Sequence, residues 1–288
     1  MKRPSDIAKE EVSMATLVEL TSVFEGIASM RIAQIKNQVL GSTKFFDRLW
    51  GIYSQLRVDS LFAFGRDKEK ANVIDKELYI IITAEGGFSG EIDQKLVVMM
   101  LETFDPEKND IIVIGHHGAM QLTQRNVAYK KYFKLPTRDN DINVMPIVRE
   151  VQKYRSTTVY YQAYSSPSIQ AVKSIELSLA VKQRGEGSEK PDEIISEDTY
   201  IFEPSAYAVA SFLEQSMVQI SISQLILESK LAQYASRFRA MSASHQRADE
   251  SKTDLHMEYN RARRGVKDER LKEIINGIKK AKKTAGVS

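Results

Sequence analysis

Apolar residues recur at steps of three and four near both ends of this chain, whereas the middle breaks into short apolar runs and alternating stretches. From Leu231 the stepping passes through Tyr234, Phe238, Met241, His245, Ala248, Lys252, Leu255, Tyr259, Ala262 and Val266. Nine of these eleven positions are apolar against 42% for the whole chain, enough to mark a seam. So narrow a stripe belongs to a coiled coil rather than to a broad core-facing helix. Ser205 to Arg264 is also 60 residues without Gly or Pro, about 90 Å if it is one helix. After Val266 the stripe slips to Leu271, Ile274, Ile275 and Ile278, and Gly277 is expected to begin fraying the end. The opening residues carry a second stripe: Ile7, Met14, Leu17, Phe24, Ala28 and Ile35, widened by Leu20 and Ile27. It continues through Phe45, Phe46, Leu49, Trp50 and Tyr53. Each stripe is too narrow for a large core, so the two are expected to bury each other as an antiparallel pair.

The middle alternates between strand and helix patterns. Leu78 to Thr83 predicts a short buried strand that breaks at Gly86-Gly87. Glu91 to Thr103 predicts a helix with Ile92, Leu96, Met99 and Met100 inward, and Ile111 to Ile114 a second strand ended by Gly115. Thr158 to Tyr164 and Ser174 to Val181 alternate in period two and predict half-exposed strands. Arg184 to Asp198 has Gly185, Gly187, Pro191 and many acids, and predicts a loop. The expected fold class is therefore α/β: a long antiparallel coiled coil of N- and C-terminal helices plus a small Rossmann-like α/β domain. The expected division is 1–60 for the N-terminal helix, 73–200 for the α/β domain and 203–285 for the C-terminal helix.

Composition narrows the function classes. A chain of 288 residues with 27% charged residues is globular rather than disordered. It has no cysteine, which excludes a disulfide framework, a thiol nucleophile and a Cys-ligated metal. Asp6, Glu10, Glu11, Glu19 and Glu25 interrupt the first residues, so no signal-peptide core is expected. No stretch approaches the roughly 18 apolar residues of a spanning helix. Membrane association is expected only through a partner, with no direct insertion. The net charge of +3 is unevenly placed: Tyr259 to Ser288 holds ten Lys/Arg against three acids.

Candidate chemistry is sparse. Gly86-Gly87-Phe88-Ser89-Gly90 lies between strand and helix, where backbone amides can hold a phosphate. It lacks the Lys-Ser/Thr of a nucleotide-triphosphate loop and the G-x-G-x-x-G spacing, so a structural turn is expected. Gly115-His116-His117-Gly118 presents adjacent histidines that diverge, with no third ligand at zinc spacing; turn residues are expected there too. No nucleophile elbow is present and the carboxylates are scattered. No catalytic residue, cofactor or metal is expected. The basic tail, Arg261, Arg263, Arg264, Lys267, Lys279, Lys280, Lys282 and Lys283, lacks the interleaved aromatics that stack on nucleic-acid bases. An acidic protein partner fits it better. The residues alone leave open a coiled-coil adaptor, a nucleic-acid binder, or a small-molecule enzyme built on residues 86–90.

Several blocks resemble the gamma subunit of the rotary F-type ATP synthase. Thr21 to Arg31 loosely keeps the pattern T-K-A-M-E-M-V-A-A-S-K-M of that family's first helix. Thr83 to Asp93 is similar, position for position, to S/T-x-D-R-G-L-C-G-x-L-N. Tyr200-Ile201-Phe202-Glu203-Pro204 resembles Y-x-Y-E-P, Ser236 to Met241 resembles A-R-M-x-A-M, and Tyr259 to Arg264 resembles Y-N-K-A-R-Q. The chain departs at Thr16-Leu17, where the family has N-T, at Ala232-Gln233, where it has S-E, and at Arg264, where it has Gln. The likeness implies a divergent member that serves as a rotor shaft, non-catalytic on its own, coupling rotation to ATP synthesis or hydrolysis on partner subunits. Implied partners are the alpha and beta subunits of the catalytic ring, the epsilon subunit and the membrane rotor ring, with no direct nucleic acid. It further implies a peripheral location on the cytoplasmic side of the cell membrane through the complex. Partner contacts are implied at Arg263, Arg264, Arg31 and Phe24.

Overall fold

The computed structural model describes residues 2–55, 74–135, 142–166, 168–186, 201 and 203–286. Two long helices, α1 (Pro4–Gln55) and α6 (Ala206–Ala285), bracket a five-stranded sheet. Strand β1 (Ile74–Ile82) pairs in parallel with β2 (Asn109–Ile114) on one side and β4 (Tyr154–Tyr164) on the other. Beyond them β3 (Lys131–Phe133) runs parallel to β2, and β5 (Gln170–Glu176) antiparallel to β4. The order β3-β2-β1-β4-β5 reverses its winding between β1 and β4. Helices α2 (Ile92–Thr103), α3 (His116–Gln124), α4 (Met145–Val151) and α5 (Leu177–Glu186) complete the described elements. The chain forms two compact units, residues 27–240 and residues 1–26 with 241–288.

In the unit of residues 27–240 the sheet is covered on both faces. Side chains alternate along a strand, so Leu78, Ile80 and Ile82 of β1 enter one core with Phe46 of α1, Val148 of α4 and Met217, Ile222 and Ile226 of α6. Tyr79 and Ile81 enter the other with Leu96 and Met100 of α2 and Leu122 of α3. Two-sided cover is what a mainly parallel sheet requires, and here α1 and α6 supply one of the two layers. Within this unit they run antiparallel: the Gln224 amide donates to the hydroxyls of Ser42 and Thr43, and the Tyr53 hydroxyl to Glu214. Ser205 caps α6, its Oγ accepting the Ala208 N–H at 3.2 Å.

Three expectations change here. Thr158 to Tyr164 is not half-exposed; as an inner strand, β4 is buried at every position from Val159 to Ala163. Ser174 to Val181 is not one strand: β5 ends at Glu176 and α5 begins at Leu177. Leu177, Ala180 and Val181 are buried while Leu179 is exposed, so the helical period, not the alternation, decides. His116 and His117 open helix α3 rather than sitting in a turn. The loop expected over Arg184 to Asp198 lies outside the described residues from 187 onward.

In the unit of residues 1–26 and 241–288, the two helices pair antiparallel. Glu11 meets His256 at 2.9 Å, while Val18 O and Thr21 meet His245 at 3.1 and 3.4 Å. Ile7, Met241 and Ala248 are buried between them. The α1 seam runs through Ile7, Glu11, Met14, Val18 and Thr21. Leu17 and Leu20, assigned to that seam from sequence, are about half exposed, with Val12 and Val23 more so. Apolar residues on both seam and outer face make α1 long and apolar enough to cross a membrane by length and composition, against the expectation that no stretch comes close. From Val266 to Ala281 every residue of α6 is exposed, Leu271, Ile274, Ile275 and Ile278 included.

Candidate functional site

At a winding reversal such as that between β1 and β4, α/β sheets leave a crevice at the carboxyl ends of their strands, the usual ligand position. Here α6 fills it. Arg237 donates from Nε to Gly87 O at 3.0 Å and from Nη2 to Gly86 O at 3.1 Å, and Ser236 Oγ donates to Ser89 O at 2.6 Å. The guanidinium also lies 5.1 Å from the Tyr234 ring centre. The glycine bend therefore turns its carbonyls to a cation on α6 and works as a seat for a helix. Gly90 takes the left-handed φ of +68° that closes it.

Beneath the bend lies Asp93, 1% exposed. Burial of a carboxyl group demands donors, and four converge on it. The Ala84 N–H (3.2 Å) and the Gln162 amide (2.7 Å) reach Oδ1. The Ser89 hydroxyl (3.3 Å) and His117 Nδ1 (2.9 Å) reach Oδ2. Asp93 raises the His117 pKa above its ordinary value, first through this hydrogen bond and then through its charge. Burial and Arg237 act against the rise, and Glu85 adds to it. Having given its amide to Asp93, Gln162 of β4 turns its oxygen to α6, where Ser229 and Gln233 donate to it. One polar chain thus links α3, α2, β4 and α6. Thr83 ties down the backbone on either side of His117: its Oγ1 shares its proton between Ile114 O and Gly115 O and accepts the Gly118 N–H at 2.8 Å.

Beside the seat is a cleft of about 330 Å³ lined by Arg31, Lys230, Arg237, Glu85, Gln233 and Tyr234, among others. Three cations face one carboxylate there, and Glu85 already accepts from the Tyr132 hydroxyl and the Leu135 N–H. Of the residues singled out from sequence, Arg31 is half-buried at this cleft and Phe24 is half-buried on α1 in the other unit. Arg263 and Arg264 are exposed on α6. Among the described residues no group of three His, Asp or Glu could hold a metal ion. Sequence reasoning marked the Gly bend and the paired histidines separately. It missed Asp93, Gln162 and Arg237 as their partners, because nothing local ties residue 93 to residues 117, 162 or 237.

Known proteins are similar to this chain over nearly its whole length. A family model described as ATP synthase matches residues 5–280. The chain is 21% identical to the ATP synthase gamma chain of Cytophaga hutchinsonii, with 94% of this chain and 96% of that one covered. It is 25% identical to the gamma chain of Staphylococcus epidermidis, over 92% and 98%. Among solved structures it is similar to a chain of the Euglena gracilis mitochondrial ATP synthase, OSCP/F1/c-ring assembly, with a TM-score of 0.65 and 16% identity. That match covers 99% of this chain and 97% of the other. A chain from the central stalk and c-ring of the Tetrahymena thermophila enzyme matches with a TM-score of 0.57 over 78% and 98%. By a family match that spans nearly its whole length, the chain belongs to the ATP synthase family as a divergent gamma chain, the non-catalytic central-stalk subunit.

Proposed function

We propose that this chain is the rotor shaft that couples rotation to ATP synthesis or hydrolysis on partner subunits. One observation carries the reading: a chain matched from residue 5 to 280 by the ATP synthase model pairs its two long helices antiparallel yet leaves large apolar residues exposed on both. Val12, Leu17, Leu20 and Val23 on α1, and Leu271, Ile274 and Ile278 on α6, are exposed at close spacing, which marks an interaction surface. They suit a shaft gripped by a ring of alpha and beta subunits, with epsilon and the membrane rotor ring as its other neighbours. The shaft's asymmetry would hold the surrounding nucleotide sites in different conformations, and rotation would cycle them. Its complex is membrane-associated, and we place the chain on the cytoplasmic side. Arg263, Arg264, Arg31 and Phe24 are proposed as ring contacts, and 1–60, 73–200 and 203–285 as the working division of the chain.

Co-expression tests this. A tagged chain should draw out alpha and beta subunits with ATPase activity, and probes on the chain should rotate during turnover. Purification without any nucleotide-binding partner would overturn the proposal and favour a non-rotary adaptor.

A further inference from the structure

We propose that Asp93 and His117 form a proton-responsive brace that seats α6 in the crevice between β1 and β4. Asp93 receives four donors, and His117 is the one among them that changes charge near neutral pH. The groups facing His117 are Asp93 from α2, Glu85 from the bend after β1 and Arg237 from α6, with His116 beside it on α3.

The brace reaches α6 by a short route. With both Asp93 oxygens accepting, the Gln162 side chain is fixed with its amide inward and its oxygen towards Ser229 and Gln233. An imidazolium on Oδ2 adds its positive charge to the bond it donates to Asp93. Loss of the proton leaves an uncharged N–H donor on Oδ2 and removes the positive charge opposite the buried carboxyl group. The sign follows from linkage. A histidine whose folded pKa lies above its unfolded value of about 6.5 contributes stability that is complete below that value. The contribution is lost as pH rises through the raised folded value. The seat of α6 is therefore tightest on the acid side of neutrality. This brace lies wholly within residues 27–240 and stands whether or not the rotary function holds. Its meaning for coupling, a join whose stiffness follows the pH around it, rests on that function.

The full-length chain tests it directly, with ¹³C-labelled histidine and amide hydrogen exchange followed from about pH 6 to about pH 9. The His117 resonance, assigned by its loss in His117→Gln, should titrate with a midpoint above about 6.5. Asp93→Asn should bring that midpoint down to or below about 6.5, since burial and Arg237 then act with little against them. Protection of the Ala84 amide, corrected for intrinsic exchange, should fall across the range in the wild type and hold steady in His117→Gln. A wild-type midpoint at or below about 6.5, or the same loss of protection in His117→Gln, overturns the brace. Should Asp93→Asn fail to fold, the wild-type titration and His117→Gln still decide.

Discussion

A methyl group at Gly115 would stand 2.0 Å from the Thr83 carbonyl oxygen, on a backbone with a φ of +94°. Neither fault relaxes without parting β1 from β2. Gly115→Ala should therefore lower stability by roughly 2–4 kcal/mol. Gly87→Ala, where a Cβ would meet nothing within 4 Å, should change it by less than about 0.5 kcal/mol. Denaturant melts of the two variants check the contrast; equal losses would mean that the bend, not the Thr83 contact, is the constrained point. Exposed arginines follow another logic. Arg263 and Arg264 offer forked donors that a lysine lacks, and charge-assisted bonds to a partner are worth roughly 1.5–3 kcal/mol each. Replacing both with Ala should cut ATP turnover of the assembled complex while the subunit's own melting stays put. Unchanged turnover with normal assembly would remove both from the contact, with Arg264, in the position where the family has Gln, the first suspect. At this scale the glycines were legible because a turn announces itself locally. The fourfold satisfaction of Asp93 was not, since its donors come from residues 84, 89, 117 and 162.

Helix α6 was read correctly over much of its seam because burial and hydrophobicity coincide at Leu231, Met241 and Ala248. On α1 they do not. Glu11 and Thr21 occupy its seam, bonded to His256 and His245 across it, and Leu17 and Leu20 face outward. A hydrophobic pattern cannot find a seam made partly of hydrogen bonds, nor tell it from a second apolar face kept for a partner. The cysteine-free chain lets this register be tested cleanly. Thr21→Cys with His245→Cys, or Glu11→Cys with His256→Cys, should form an intrachain cross-link on mild oxidation. Interchain links alone would mean a dimeric coil. The start of α6 makes a separate point: Ser205→Ala removes its capping oxygen and should cost about 1 kcal/mol, measurable as a lower melting midpoint. No change would mean that the first turn is held by packing rather than by the cap.

Taken whole, the molecule has the strand order of a nucleotide-binding fold but gives the ligand crevice to its own helix. Calorimetry on the isolated chain should show no heat of ATP binding. Tight binding, abolished by Gly87→Val, would instead make the bend a phosphate site. The fold class was legible from two kinds of periodicity and the family from short blocks; that the blocks at 83–93 and 236–241 touch through Ser236 and Arg237 was not. The uncovered faces of α1 and α6 also bear on the life of the chain before assembly. Val12, Val23, Leu271 and Ile274 are each more than half exposed, and surface of this kind draws chains together or to chaperones and proteases. Made in excess of its partners, the protein would self-associate or be degraded. Its cellular level would then be set by the supply of ring subunits that can sheathe it, more than by its own rate of synthesis.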